Sequence, residues 1–201
     1  MKFLLCLLGS YLLGSIPFGL ILGRLVKGID IRKFGSGNIG ATNVFRVIGK
    51  KWGILALLLD VLKGYLAPQL PVIFFKLTPP PVIWLLALGL SAILGHSFSI
   101  WLSFKGGKGV ATSFGVFLGI LFIPTLLAFL FWILVFILTR IISIASLSAA
   151  AIFPFLVYFF ERNSPSGLLY FSVSLFLSLF ILFTHRGNIA RLLRNEETRI
   201  F

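Results

Sequence analysis

The segment FGSGNIGATNVFR, from Phe34 to Arg46, brings backbone freedom, small hydroxyls, amides and a guanidinium into one short polar stretch. Glycines at 35, 37 and 40 let backbone N–H groups approach a ligand closely. Ser36, Asn38, Thr42 and Asn43 offer hydroxyl and amide partners, and Arg46 can fork onto a phosphate. The same residues also fit a solvated loop in which Thr42 or Asn43 caps a short helix. So many small polar groups beside a basic one favour a binding site over that plainer reading.

A second segment, GHSFSIWLSFKGGKGVATS, runs from Gly95 to Ser113. Its Phe104-Lys105-Gly106-Gly107-Lys108-Gly109 core leads into an expected helix, where N–H groups and the helix dipole form an anion cradle. Lys105 and Lys108 would neutralise the anion. It is not a Walker A loop: Leu102 occupies the first glycine position and Gly109, not Ser or Thr, follows Lys108. Nucleoside triphosphate hydrolysis is disfavoured, whereas phosphate binding is not.

Two further segments carry candidate groups. Arg140, Ser143 and Ser146, at i, i+3 and i+6, fall along one face if helical. Such serines in membrane helices often only pack or bond to their own backbone. His185 and Asn188, within His185-Arg186-Gly187-Asn188, share a helical face with Arg191, although the segment also fits an interfacial amphipathic end. Absences narrow the chemistry. The H-x-x-x-x-D spacing of familiar glycerolipid acyltransferases is missing, since Trp101 follows His96 and Ala190 follows His185 at that offset. There is no G-x-S-x-G elbow and no histidine–carboxylate pattern suited to zinc, so neither cofactor nor metal is expected. Acidic residues number five, with Asp60, Glu196 and Glu197 near the basic face, too few to make a paired-carboxylate mechanism attractive. What remains is a positive, backbone-rich pocket that orients phosphates and stabilises a developing oxyanion.

These segments must be positioned by membrane spans. The 59% hydrophobic fraction and mean hydropathy of +1.09 exclude an ordinary soluble domain. Apolar stretches at 3–23, 53–75, 82–102, 111–139, 142–160 and 167–184 have span length, since a crossing needs about 20 residues. Runs such as 55–59 and 126–138 are apolar on every face, which predicts an all-α bundle rather than a barrel. The first stretch outruns a signal-peptide core and reads as an uncleaved span, so residues 1–201 are expected to form one integral membrane domain. Cys6, the only cysteine, reads as an inert apolar filler.

The net charge of +13 sits in short connectors rather than in a continuous patch, which argues against nucleic acid and for cytoplasmic loops in a lipid bilayer. Connector 24–51, connector 103–109 and the tail are rich in Lys and Arg; those near Lys76 and Arg162 are poor. Placing the rich ones inside requires an even number of crossings between Lys108 and Arg186. A break of 111–139 near Pro124 supplies it. The expectation is about seven helices, the amino terminus outside and the carboxyl terminus cytoplasmic; the rival is six, with one long tilted fourth span. Asp60 and Lys63, a helical turn apart inside the second span, read first as an ion pair that locates the helix.

The strings GSIPFG (14–19), GSGNIGATN (35–43), LDVLKG (59–64), GHSFSIWLSFKGGKGVAT (95–112) and HRGNIARLLRNEE (185–197) resemble the bacterial acyl-phosphate:glycerol-3-phosphate acyltransferase (PlsY) family over nearly the whole chain. The resemblance implies transfer of a fatty acyl group from acyl phosphate to the 1-hydroxyl of glycerol 3-phosphate, at the cytoplasmic face of the inner membrane, by a monomer. It implies acceptor binding and catalysis by Ser36 and Arg46, and phosphate binding by Gly106–Gly109 with Lys105 and Lys108. It further implies roles for Ser143, His185, Asn188 and Glu197. Where the family pattern reads close to G-T-E, this chain has Asn195-Glu196-Glu197, so Glu197 aligns with the motif glutamate and Asn195 replaces a glycine. Direct attack on the acyl carbon is expected, the proton going to the donor's phosphate or to His185. An organophosphate transporter of the inner membrane is the alternative from another class. Transporter sites, however, usually lie at a repeat interface near the midplane, and this chain shows no repeat.

Overall fold

Proline decides where the first apolar stretch breaks. Pro17 has no N–H to donate and restricts the residue before it, so the helix entering it stops. In the computed structural model, which describes residues 1–199, α1 spans Lys2–Ser15 and α2 spans Phe18–Lys27, with Ile16 and Pro17 between them. The single first span expected from composition is thus two helical pieces. Gly28, at φ 65°, closes α2 in the left-handed conformation that glycine adopts without strain.

Every element among the described residues is helical. After α2 come α3 (Ala41–Val47), α4 (Lys50–Leu66), α5 (Leu70–Phe75), α6 (Val82–Ser97) and α7 (Val110–Ile120). Then follow α8 (Phe122–Thr139), α9 (Ile142–Glu161), α10 (Gly167–Thr184) and α11 (Arg186–Leu193). Short 3-10 turns occupy Ile31–Lys33, Ala67–Gln69 and Ile100–Leu102. Among the described residues, six helical stretches are long and apolar enough to cross a membrane: Lys2–Lys27, Lys50–Phe75, Val82–Leu102, Phe122–Thr139, Ile142–Glu161 and Gly167–Thr184. Five match the stretches read from hydropathy, and the fourth is the latter part of 111–139.

The stretch 111–139 does break, but at Leu121 (φ −132°, ψ 70°) rather than at Pro124. Pro124 instead lies in the first turn of α8, where its missing N–H removes no hydrogen bond. The Leu121 carbonyl accepts both the Thr125 N–H, at 3.1 Å, and the Thr125 hydroxyl, at 2.7 Å. At about 1.5 Å per residue, the 11 residues of α7 reach only about halfway across the hydrocarbon.

The chain divides into two compact units, Met1–Ile120 and the part from Leu121 on. In the first, α1 packs on α6, α4 on α7, and α3 on α4. The α4–α7 contact is backbone-close: a Cβ on Gly64 would collide with the Thr112 carbonyl, and one on Gly115 with that of Val61. Membrane helices gain packing this way, because lipid offers no hydrophobic drive for them to associate. In the second unit, α9 packs on both α8 and α10.

Candidate active site

In the first unit the loop ahead of α3 is organised by one buried amide. Asn43, 1% exposed, accepts the Ser36 N–H on Oδ1 at 2.9 Å. Its Nδ2 donates to the carbonyls of Ile31 at 3.2 Å, Phe34 at 3.1 Å and Asn38 at 2.8 Å. An amide whose N–H groups are all engaged holds the loop and keeps only the second lone pair of Oδ1, so Asn43 is not open to donate to an anion. Asn38 turns the chain into α3 by accepting the Gly40 N–H at 2.8 Å. The cap position is therefore Gly40, not Thr42 or Asn43. Asn43 and Val44 form the buried face of α3, while Thr42 and Arg46, at i and i+4, share another. Ser36 and Arg46 are exposed, and Thr42 is half-buried. Asp30 receives the Arg32 backbone N–H at 3.0 Å and its guanidinium at 2.6–3.2 Å. Those hydrogen bonds hold the Asp30 carboxyl well below the usual carboxylate range.

The glycine-rich loop lies on the same core, since Leu102 packs in one cluster with Ile31, Ile39 and Val44. Its N–H groups are less available than the sequence implied. Gly106 donates to the Ser97 carbonyl and Gly107 to that of His96, each at 3.0 Å. Neither N–H is open to cradle an anion as the sequence implied. Lys105 is exposed and Lys108 half-buried. Gly109, at φ 84°, accepts the first bond of α7 from the Ser113 N–H at 2.8 Å. The start of the segment is tied to α1, where the Tyr11 hydroxyl donates to the Phe98 carbonyl at 2.7 Å and that of Ser99 to Ser15 at 2.6 Å.

Below that loop the Lys63 ammonium, 2% exposed, meets Asp60 Oδ1 at 2.8 Å. It also donates to the Ile16 carbonyl at 2.9 Å and lies 5.5 Å over the Phe18 ring. That carbonyl, which also accepts the Phe18 N–H at 3.1 Å, lies at the break between α1 and α2, so the pair secures the break. His96 joins it, with Nδ1 3.6 Å from Asp60 Oδ1. Sequence reasoning passed His96 over. The available signal was that it ends an apolar run leading into the second basic connector, as the Asp60–Lys63 pair lies in the span after the first.

In the second unit the tail folds back onto α9. At the end of α11 the Asn195 N–H donates to the Leu192 carbonyl at 3.0 Å and the Glu196 N–H to that of Arg191 at 2.8 Å. This is the Schellman pairing, which needs a left-handed residue, and Asn195 takes it at φ 58°. Asparagine enters that region more readily than other residues with a Cβ, so it can stand where the resemblance places a glycine. The reversal delivers Glu197, whose side chain is 7% exposed, to three donors. Ser143 Oγ reaches its Oε1 at 2.9 Å, Asn188 Nδ2 reaches the same oxygen at 2.5 Å, and Arg191 Nε reaches Oε2 at 2.7 Å. Glu196 instead pairs at the surface with Arg194, at 3.1 Å.

The remaining candidates are placed as follows. His185 Nδ1 lies 2.8 Å from the Ile181 carbonyl, which makes Nδ1 the protonated nitrogen and Nε2 the basic one. Ser146 accepts the Trp132 indole N–H at 3.1 Å and is buried in packing. Arg140 does not share the α9 face with Ser143. It closes α8 in the left-handed conformation, φ 59°, because only Arg140 and Ile141 join α8 to α9.

Partial burial pushes the Glu197 carboxyl up, but hydrogen bonds from Asn188, Arg191 and Ser143, with the Arg191 charge, outweigh it and leave its pKa below the ordinary value. A depressed carboxyl stabilises the folded tail above the usual glutamate value of about 4.3 and loses that contribution as pH falls through the lowered one. A fluorophore on Thr198→Cys, in a Cys6→Ala background, is expected to show constant anisotropy down to the usual value and release below it. A release centred above that value would contradict the assignment, and Glu197→Gln should abolish the transition.

These features define a polytopic α-helical membrane protein with polar, glycine-rich connectors between its spans. The Glycerol-3-phosphate acyltransferase family profile matches residues 4–195, and the chain belongs to that family. It is 47% identical over 191 residues to the glycerol-3-phosphate acyltransferase of Geotalea daltonii, covering 95% of this chain and 94% of the relative. It is 43% identical over 197 residues to that of Prochlorococcus marinus, covering 98% of each. Its fold is similar to the crystal structure of PlsY (YgiH), an integral membrane glycerol 3-phosphate acyltransferase. For the glycerol 3-phosphate form the TM-score is 0.87 with 38% identity, and for the lysophosphatidic acid form 0.84 with 37%; both cover 100% of this chain and 96% of the neighbour.

Proposed function

We propose that the chain transfers a fatty acyl group from acyl phosphate to the 1-hydroxyl of glycerol 3-phosphate, giving lysophosphatidic acid and inorganic phosphate. The observation that carries this reading is the pair of solved neighbour forms, named for glycerol 3-phosphate and for lysophosphatidic acid. The two ligands differ by one acyl group, so a single acylation of the acceptor separates them. Acyl phosphate suits the donor role: as a mixed anhydride it is already activated, and its chain can lie in lipid while its phosphate meets basic side chains. The family match runs through both units, which supports one acyltransferase domain in the bacterial inner membrane, its chemistry on the cytoplasmic side.

In the first unit Lys105 and Lys108 bind phosphate, with Arg46, Ser36 and Thr42 at the acceptor. In the second, Glu197 fixes Asn188 and Ser143 as donors. The acceptor oxygen attacks the acyl carbon, the bond from that carbon to the phosphate oxygen breaks, and the hydroxyl proton leaves on the released phosphate or on His185 Nε2. Four of the five carboxylates already serve Arg32, Lys63, Arg194 and the Glu197 donor set, which supports a mechanism without a carboxylate base.

The test uses detergent-purified full chain, palmitoyl phosphate and radiolabelled glycerol 3-phosphate, with palmitoyl-coenzyme A as parallel donor and no added magnesium. Labelled lysophosphatidic acid from the acyl phosphate alone is expected. Product from coenzyme A alone would refute the donor assignment. Failure of both donors with folded protein would refute the reaction and turn attention to organophosphate transport.

A further inference from the structure

His96 is 4% exposed and wedged between an ion pair and the glycine-rich loop. On one side its Nδ1 faces Asp60 Oδ1 at 3.6 Å. On the other its ring edge lies against Gly107. A Cβ there would collide with Nε2 and come within 2.8 Å of Cε1 and 3.0 Å of Cδ2. Its main chain joins the same contact, because the His96 carbonyl accepts the Gly107 N–H and the Ser97 carbonyl the Gly106 N–H, each at 3.0 Å. The loop that carries Lys105 and Lys108 is therefore laid directly on His96. A leucine or phenylalanine would fill such a space without burying two nitrogens beside an ion pair, and burying polar groups in a span is costly. The imidazole is thus retained for more than its volume.

We propose that His96 is a positioning residue for the phosphate-binding loop. Asp60, itself held by Lys63, sets the orientation of the imidazole; the imidazole sets Gly107; and Gly106 and Gly107 set where the ammonium groups of Lys105 and Lys108 meet the acceptor's phosphate. This role rests on the reaction proposed above. It differs from a general stabilising role in one respect: loss of folded protein lowers kcat alone, whereas a displaced loop weakens acceptor binding and raises KM.

Full-length wild type, His96→Ala, Gly107→Ala and the double variant are assayed in detergent for KM and kcat with glycerol 3-phosphate. His96→Ala is expected to raise KM about tenfold, the size of one lost positioning contact, with kcat little changed. Gly107→Ala should raise KM at least as much, because its methyl strikes the ring. In the double variant the ring is gone, so KM should fall below that of Gly107→Ala alone. An unchanged KM in His96→Ala, or single effects that multiply in the double variant, overturns the proposal. Should His96→Ala not fold, His96→Asn keeps a donor toward Asp60 but withdraws the ring edge, and the same rise in KM is expected of it.

A second readout needs no activity. Limited tryptic cleavage at Lys105–Gly106 should accelerate about tenfold in His96→Ala, or in His96→Asn, while cleavage at Lys50–Lys51 keeps its wild-type rate. Equal cleavage at Lys105–Gly106 in wild type and variant overturns the positioning role. Wild type that makes no product overturns the reaction, and the cleavage rates still decide the role of His96.

Discussion

Asp60→Ala is expected to destabilise the fold by about 3–5 kcal/mol, the cost of leaving a buried charge without its partner. Asp60 is 3% exposed and Lys63 2%, so water does little for the abandoned ammonium. The Ile16 carbonyl, at 2.9 Å, and the face of Phe18 remain near it, and neither carries a charge that replaces the carboxylate. The damage spreads because Lys63 also donates to the Ile16 carbonyl: once the ammonium withdraws, the break between α1 and α2 loses its tie to α4. A thermal scan in one fixed detergent, read by size-exclusion, measures the effect. Asp60→Asn should lie between wild type and alanine, since the amide oxygen still accepts. Asp60→Leu combined with Lys63→Met should recover much of the loss, because apolar residues of similar volume often replace a buried pair without penalty. Wild-type stability in Asp60→Ala would show that Lys63 is not held by this pair.

The spans were legible in the sequence because membrane crossing is a matter of composition and length. The candidate polar segments were legible for a related reason: glycines, amides and basic residues stand out between apolar runs. What each group does once folded was not. Gly106 and Gly107 read as anion donors, but whether an N–H is unpaired depends on which carbonyl the chain folds against, here those of His96 and Ser97. Asn43 looks like Asn38 in composition, yet its face of α3 is buried, so its amide became the loop's clasp. Arg140 falls in register with Ser143 only if the helix is continuous, and a two-residue connector ended it. The Pro17 break could have been read from the sequence. What ties that break, the Lys63 ammonium on the Ile16 carbonyl, comes from another span and is a tertiary fact. His96 escaped for the same reason, since Asp60 belongs to another span and the contact with Gly107 depends on how the loop folds back.

Glu197→Ala is expected to lower kcat/KM by about a hundredfold, the scale of losses when reactive groups are misplaced by an ångström. Three donors, Ser143 Oγ, Asn188 Nδ2 and Arg191 Nε, converge on this one carboxylate. Removing it frees the orientation of all three together, and the effect on catalysis should exceed that on folding, because what Glu197 holds is a set of polar side chains rather than hydrophobic packing. Glu197→Gln should fall between, since one oxygen still accepts while the new amide group faces a donor and the Arg191 charge loses its partner. The decisive comparison is at Asn195, which touches none of these groups and acts only through the backbone. Asn195→Gly keeps the left-handed turn and should retain wild-type activity. Asn195→Val, whose branched side chain opposes positive φ by about 1–2 kcal/mol, should swing Glu197 away and reproduce much of the Glu197→Ala defect. The same acyl phosphate assay reads every variant. If Asn195→Val matched wild type, the helix-end reversal would not be what places Glu197. If instead Glu197→Ala were fully active, the tail would be an appendage to the second unit, and Asn188 and Ser143 would need another source of orientation.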